Sequence, residues 1–246
     1  LVNQAAKARF MSGGQLSVPL VLRTQGGSGG RAGAQHSQSL EAWLTHIPGL
    51  KVVMPADAAD AAALLRAAIA DPDPVVFIEN KSLYFRREEV SDPPAPVSLG
   101  VTHRLRSGTD VTIVALSRMV GEAMAAAERL AAAGVQAEVF DPRTLVPLDL
   151  DPIADSVRRT GRAVIAHEAV RYGGFGAELA AELQAAAFDH LDAPIQRVGA
   201  PFTPVPLSPS LEDAYRPGAD EIYEAAQLAI HWADTAELVP IGEASR

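Results

Sequence analysis

The sequence contains no cysteine among its 246 residues, and aromatic residues make up only 5% of it. The missing cysteines exclude a disulfide framework, a thiolate metal site and a cysteine nucleophile. No apolar run approaches the roughly 18 residues that a membrane-spanning helix needs, and no signal peptide is recognisable. We therefore expect a cytoplasmic protein that has no membrane partner.

Basic residues are also under-represented, because 21 lysines and arginines stand against 30 aspartates and glutamates, which gives a net charge of −9. A negative chain repels nucleic acid, so we expect no nucleic-acid partner. The composition is 48% hydrophobic and 21% charged, which is typical of a globular protein. The length suffices for one large domain or two modest ones.

Short apolar runs alternate with helical patterns along the chain. The predicted buried strands are 18–22, 50–54, 74–78, 111–116, 135–140, 162–166 and 195–198. The predicted helices between them include 1–11, 37–47, 119–133 and 151–161. Such alternation predicts an α/β fold with mainly parallel sheets. The proline-rich stretch 92–96 predicts a stiff linker, and we place two three-layer domains at residues 1–92 and 93–246.

A glycine-rich loop follows the first predicted strand. Four glycines occur between Gly26 and Gly30, and His36 lies where the loop passes into a predicted helix. The loop lacks the Walker A ending and a clean dinucleotide fingerprint, so it does not indicate phosphate binding. An imidazole near its ordinary pKa can donate or accept a proton at neutral pH. His36 is thus a candidate general acid or base, although a helix cap beside a flexible connector explains the same pattern.

Two further places carry polar groups at the ends of predicted elements. His167 and Glu168 follow a predicted buried strand and precede glycines, which fits either a functional site or a structural network at the end of the sheet. The turn from Ala68 to Pro74 ends a predicted helix and contains Asp71 and Asp73. Unpaired carbonyls at a helix end can hold a cation, but the residues alone favour an ordinary helix stop with solvated acids.

Several short motifs occur in a fixed order along nearly the whole chain. They are Met11-Ser-Gly-Gly, Gly33-Ala-Gln-His-Ser-Gln-Ser, His46-Ile-Pro-Gly-Leu-Lys-Val-Val, Asp141-Pro-Arg-Thr-Leu, His167-Glu-Ala, Gly174-Phe-Gly-Ala-Glu and Leu211-Glu-Asp-Ala-Tyr. This set closely resembles the beta subunit of the thiamine-diphosphate-dependent 2-oxo acid dehydrogenases, in the transketolase-like superfamily. The resemblance implies a pyrimidine-binding domain followed by a transketolase C-terminal-like domain.

The resemblance also implies roles for particular residues. His36 matches the active-site histidine of the family, which takes part in transfer of the acyl group to lipoamide. A potassium site of some relatives, built from backbone oxygens, maps to Leu20, Ala68, Ile69, Asp71 and Asp73. Thiamine diphosphate and Mg²⁺ would be shared with, or held by, an alpha subunit. The glutamate that activates thiamine would lie upstream of Leu1, and because the sequence lacks an initiator Met we expect such an upstream segment.

The resemblance implies an oxidoreductase that decarboxylates a small 2-oxo acid and transfers the acyl group to lipoamide. The expected assembly is an α2β2 heterotetramer bound to a lipoyl acyltransferase core. Pyruvate is the leading substrate, and a branched-chain 2-oxo acid or acetoin is the alternative. A non-catalytic scaffold subunit of the same fold is the alternative from another class, and the upstream glutamate would distinguish the two.

Overall fold

The computed structural model describes residues 1–235, which form two sheets covered by helices. The elements that precede residue 86 are α1 (Ala5–Met11), β1 (Val21–Gly26), α2 (Gly33–His36), α3 (Glu41–Thr45), β2 (Lys51–Val53), α4 (Ala58–Ala70), β3 (Val75–Asn80) and a 3₁₀ helix (Lys81–Phe85). No helix in the described part of the chain is both long and apolar enough to cross a membrane.

The second half repeats the alternation of strands and helices. Its elements are β4 (His103–Arg106), β5 (Val111–Ala115), α5 (Met119–Ala132), β6 (Ala137–Asp141), β7 (Thr144–Val146), α6 (Asp151–Thr160), β8 (Ala163–Val170), α7 (Phe175–Ala187), a 3₁₀ helix (Phe188–His190), β9 (Gln196–Ala200), α8 (Pro209–Tyr215), α9 (Ala219–Ile230) and α10 (Trp232–Thr235). The predicted α/β class with two mainly parallel sheets is confirmed.

The first sheet has the strand order β1-β3-β2-β7. Strands β1, β3 and β2 are parallel, whereas β7 runs antiparallel and pairs Val146 with Val52. Strand β7 belongs to the second half of the chain and was not among the predicted strands. Its three residues are too short a run to reveal a strand, and its partner lies almost a hundred residues earlier.

Strand β1 corrects one prediction, because the run from Val18 to Leu22 is not a buried strand. The observed strand starts at Val21, and its four central residues are exposed. It lies at the edge of the sheet and pairs only with β3. Apolar side chains such as Leu20 and Leu22 therefore remain open on this surface.

The second sheet has the order β4-β6-β5-β8-β9, with β4 antiparallel to its neighbour and the other pairs parallel. Helices α5 and α9 cover one face of it. Helices α6 and α7 cover the other face, and the same core cluster includes Val52 and Val76 of the first sheet. Helix α4 packs on the opposite face of the first sheet through Leu64. The two sheets therefore share one hydrophobic core.

Two predicted element boundaries near the candidate residues are wrong. The predicted helix 37–47 is replaced by α2 and α3, which are separated by four residues outside any helix. Strand β8 continues to Val170, so that His167 and Glu168 lie inside it and not beyond its end. Strand β8 is longer than predicted because its backbone pairs with β9 as far as Val170 and Ala200.

Candidate active site

The glycine loop (residues 26–31) leaves β1 and leads to α2, and it passes very close to neighbouring side chains. Gly27 has a φ of +84°, and a Cβ placed on it would lie 2.3 Å from Nδ2 of Asn80. Gly29 has a φ of +96°, and its Cβ would lie 2.9 Å from the guanidinium of Arg216. Only glycine fits these two positions, because it tolerates positive φ and has no side chain to collide.

The buried carboxylate of Glu168, in β8, accepts hydrogen bonds from the glycine loop. Its Oε1 accepts hydrogen bonds from the backbone N–H and the hydroxyl of Ser28, both at 2.6 Å. Its Oε2 accepts from Nδ2 of Asn80 at 2.7 Å and from Nε of Arg118 at 2.6 Å. Burial raises the pKa of Glu168, but the charge of Arg118 and the hydrogen bonds from Ser28 and Asn80 outweigh burial and lower it overall. Glu168 is therefore ionised at neutral pH.

A second buried carboxylate, Glu212 of α8, binds the far end of the loop. Its Oε1 accepts from the N–H of Gly29 at 2.8 Å. Its Oε2 accepts from the N–H of Arg31 at 3.2 Å and from the Arg31 guanidinium at 3.0 Å. Glu168 and Glu212 both belong to the second half of the chain, so that this half determines the conformation of the loop.

A third buried polar contact lies at the start of α3. Glu41 accepts a hydrogen bond from, or forms an ion pair with, Nε2 of His167, and both side chains are buried. Between the loop and α3, the N–H of Gly27 donates to the carbonyl of Gln38 at 3.0 Å. The hydroxyl of Ser37 is also buried and has no hydrogen-bond partner in the described part of the chain. Residues 28–41 are thus attached to the body of the protein at both ends.

His36 lies between these attachments as the last residue of α2, and its side chain is exposed. It follows the carboxyl end of β1, the edge at which α/β sheets commonly bind ligands. The structure therefore places His36 where a bound molecule can reach it, on a segment fixed at both ends. A small cleft of about 10 Å³ lies beneath the segment and is lined in part by Gly26, Ser39 and Leu116.

The candidate cation site lies far from His36, where α4 ends and strands β1 and β3 begin. The carbonyl of Leu20 accepts from the N–H of Val75 at 2.8 Å, and that of Ala68 accepts from Asp71 at 3.3 Å. Each of these carbonyls keeps one lone pair for a cation. The carboxylate of Asp71 binds Lys51, and that of Asp73 binds Arg9. Within residues 1–235, no group of three or more histidine, aspartate or glutamate side chains is placed to hold a metal ion.

Each half of the chain matches a known domain family. Residues 1–86 match the transketolase pyrimidine binding domain, and residues 100–222 match the transketolase C-terminal domain. The chain is 47% identical over 222 residues to the acetoin:2,6-dichlorophenolindophenol oxidoreductase subunit beta of Bacillus subtilis, covering 90% of this chain and 65% of the relative. The corresponding subunit of Cupriavidus necator is 46% identical over 92% of this chain and 67% of its own length.

The chain belongs to the transketolase-type family of pyruvate and acetoin dehydrogenase beta subunits. The mitochondrial pyruvate dehydrogenase E1 component subunit beta-2 of Oryza sativa is 44% identical over 94% of this chain. This chain spans 62% of that subunit, and it covers less than two thirds of the Bacillus subunit. The predicted family is thereby confirmed.

Solved structures agree with the family. A split-gene transketolase, solved as an inactive beta4 tetramer, superposes with a TM-score of 0.70 at 27% identity, covering 92% of this chain and 73% of that one. A transketolase mutant from Pichia stipitis superposes with a TM-score of 0.66 at 17% identity, covering 89% of this chain and 31% of that one. The second likeness supports the fold alone.

Within this beta-subunit fold, sequence reasoning missed most of the polar network around the loop. Neither Arg118 nor Glu212 was a candidate residue, and Glu41 lay inside the predicted helix 37–47 without an assigned role. Periodicity cannot identify them, because their partners lie 50 to 183 residues away. The one signal that marks Glu212 is its place in the motif Leu211-Glu-Asp-Ala-Tyr.

Proposed function

We propose that this chain is the beta subunit of a thiamine-diphosphate-dependent 2-oxo acid dehydrogenase of the pyruvate dehydrogenase type. Its enzyme would decarboxylate a 2-oxo acid oxidatively and transfer the acyl group to lipoamide. The observation that carries this proposal is an exposed histidine, His36, on a glycine-bounded segment that buried carboxylates fix at the carboxyl edge of the first sheet. Membership of the E1 beta family supports the same assignment.

Among residues 1–235, the surface around His36 is open and has no enclosed pocket large enough for a cofactor. The cleft beneath residues 28–41 has only about 10 Å³ of free volume, far less than the 300–1,000 Å³ typical of a ligand site. His36 and the glycine loop fit the open wall of a site that a second subunit completes. Thiamine diphosphate, when bound there, would supply the electron sink for decarboxylation. His36 would then hold or deliver a proton at its imidazole during acyl transfer.

Exposed apolar side chains support an alpha subunit as the partner. Phe10 and Phe85 are 90% and 91% exposed, and Leu22 of the edge strand β1 is exposed as well. Large apolar side chains that remain exposed can form surfaces that bind another protein. We propose an α2β2 heterotetramer in which the alpha subunit holds Mg²⁺ and the diphosphate, and which binds a lipoyl acyltransferase core. The division at residues 92 and 93 remains a prediction within this proposal.

Acetoin is the second candidate substrate. The two acetoin oxidoreductase subunits are 47% and 46% identical to this chain, against 44% for the rice pyruvate dehydrogenase subunit. The margin is small, and the substrate pocket would be shared with the alpha subunit. The substrate must therefore be identified by measurement.

The full-length chain, assembled with its alpha subunit and supplied with thiamine diphosphate and Mg²⁺, tests the proposal. Pyruvate, 3-methyl-2-oxobutanoate and acetoin are offered separately, and both substrate consumption and lipoamide acylation are followed. We expect turnover of pyruvate, and we expect His36→Ala to slow lipoamide acylation about a hundredfold, the usual scale for losing a general acid or base. The control is His46→Ala, since His46 is an exposed histidine at the end of α3.

Three results bear on the proposal in different ways. Exclusive turnover of acetoin would favour the second candidate. No turnover of any substrate in an assembled heterotetramer would reject the enzyme in favour of the scaffold alternative. An equal effect of the His36 and His46 substitutions would reject the assigned role of His36.

We also propose a potassium ion at the corner formed by the backbone oxygens of Leu20, Ala68, Ile69, Asp71 and Asp73. Binding to the folded state alone raises stability, and for a chain of this size about 1 kcal/mol corresponds to a few degrees in Tm. We expect Tm to be about 2–4 °C higher in KCl than in NaCl at equal ionic strength. Choline chloride provides the cation-free control, and identical melting in all three salts would contradict the site.

A further inference from the structure

Two consecutive residues of β8 contact the two ends of the segment that carries His36. Glu168 binds Ser28 at its beginning, and His167 binds Glu41 at its end. Neighbouring side chains of a strand point to opposite faces of the sheet. His167 and Glu168 can therefore contact two residues, Glu41 and Ser28, that lie thirteen positions apart in the sequence. All four residues are buried.

The contact between His167 and Glu41 attaches the first residue of α3 to β8. The N-cap position of α3 is Leu40, which has no side-chain hydrogen bond to the helix. The side chain of Glu41 instead points into the protein toward β8. His36 precedes Glu41 by five residues, and the hydrogen bond from Gly27 to Gln38 links the intervening backbone to the glycine loop. Without the His167 contact, the segment would lose its buried polar attachment at this end, although Leu44 of α3 still packs on the core.

We infer that Glu41 and His167 are positioning residues, which hold the exposed imidazole of His36 at the carboxyl edge of the first sheet. This inference rests on the proposed function, because it assigns Glu41 and His167 an effect on acyl transfer, the step in which His36 takes part. Both side chains are buried and line the cleft of about 10 Å³ beneath the segment, which is too small to admit a substrate. Their effect on the reaction passes through the position of His36. A displacement of about 1 Å can slow a reaction a hundredfold.

The test uses the full-length chain assembled with its alpha subunit and compares Glu41→Ala with Glu41→Gln. Glutamine keeps a hydrogen-bonding group facing His167, whereas alanine removes it. We expect Glu41→Ala to lower kcat for lipoamide acylation at least about tenfold, with little change in the KM of the 2-oxo acid. We expect Glu41→Gln to retain most of the activity. Glu182→Ala, at an exposed glutamate of α7, is the matched control and should behave like the wild type.

A double substitution separates positioning from general stability. If Glu41 acts through His36, then Glu41→Ala should add little further loss to a His36→Ala enzyme, because residues that act as a unit are not additive. Equal losses in both backgrounds would overturn the inference. So would a normal rate in the Glu41→Ala enzyme. If that variant fails to assemble, His167→Gln replaces it in the same comparison.

Hydrogen exchange of residues 33–40 in the assembled complex gives a readout that does not depend on activity. We expect exchange to accelerate at least about tenfold in Glu41→Ala and to stay near the wild-type rate in Glu41→Gln. Faster exchange in Glu41→Ala, combined with normal lipoamide acylation by His36→Ala, would support the positioning contact and reject the role assigned to His36. Unchanged exchange would reject the positioning contact, whatever the activity.

Discussion

Replacing Arg118 by alanine is expected to destabilise the protein by about 3–5 kcal/mol, because it leaves a buried carboxylate without its cation. Arg118 is only 4% exposed, and its Nε donates to Glu168 at 2.6 Å. Its remaining nitrogens donate to the carbonyl of Pro217 and to Glu122. The substitution therefore removes hydrogen bonds to the connection between α8 and α9, to α5 and to β8. It also removes the charge that keeps the pKa of Glu168 low.

Urea denaturation of the full-length chain measures this effect, with Arg66→Ala as the matched control. Arg66 is an exposed arginine of α4, so its truncation should change the unfolding free energy by less than about 0.5 kcal/mol. Adding Glu168→Gln to Arg118→Ala should recover part of the lost stability, because the uncompensated buried charge is then gone. Similar losses for Arg118→Ala and Arg66→Ala would show that the buried pair contributes nothing to stability.

The elements that sequence patterns predicted best are those whose environment is the same along their whole length. Strands β3 and β5 are buried at every residue, and both begin with runs rich in β-branched residues, Val75-Val-Phe-Ile78 and Val111-Thr-Ile-Val114. Helix α5 was predicted at 119–133 and is observed at Met119–Ala132, because its apolar face recurs at helical spacing. In these elements, local pattern and tertiary environment agree.

Strand β1 shows why such patterns fail for a strand at the edge of a sheet. The apolar run from Val18 to Leu22 indicates burial, yet Leu20 and Leu22 are exposed in the single chain and only Val21 packs against the core. Periodicity reports which residues avoid water, but it does not report which protein or segment covers them. An interface strand and a core strand therefore have the same sequence signature.

The candidate site was predicted only in part for a related reason. The glycine loop and His36 are visible because glycine marks special backbone conformations and histidine titrates near neutral pH. The residues that fix the loop are ordinary glutamates and arginines in the sequence. Glu168 was noticed only for its place after a predicted strand, and Glu212 was not a candidate at all. Folding is what buries them against backbone N–H groups 140 and 183 residues away.

A second large effect is expected from pH, through Asp141 at the end of β6. The side chain is 1% exposed and accepts a hydrogen bond from the N–H of Arg143 at 2.8 Å. The Arg143 guanidinium is directed elsewhere, to Asp60 at 2.9 Å and to Nδ1 of His103 at 2.8 Å. Burial therefore dominates, and it raises the pKa of Asp141 from 3.8 to about 8.

The direction of the pH effect follows from proton binding. Below about pH 4 the Asp141 carboxyl is protonated in both the folded and the unfolded state, so it does not change the free energy of unfolding. Between about pH 4 and pH 8 only the folded state keeps the proton, and the free energy of unfolding falls as pH rises. The decrease ends near pH 8, and it amounts to at most about 6 kcal/mol at 1.4 kcal/mol per pKa unit.

Comparison with Asp141→Asn isolates this contribution, because asparagine does not titrate and the other carboxylates affect both proteins equally. The difference in unfolding free energy is measured in urea at pH 5, 6, 7, 8 and 9. We expect the variant to gain stability relative to the wild type with each step up to about pH 8, and to gain none beyond it. A difference that stays constant from pH 5 to pH 9 would mean that Asp141 is already ionised in the folded protein, with Arg143 close enough to compensate its charge.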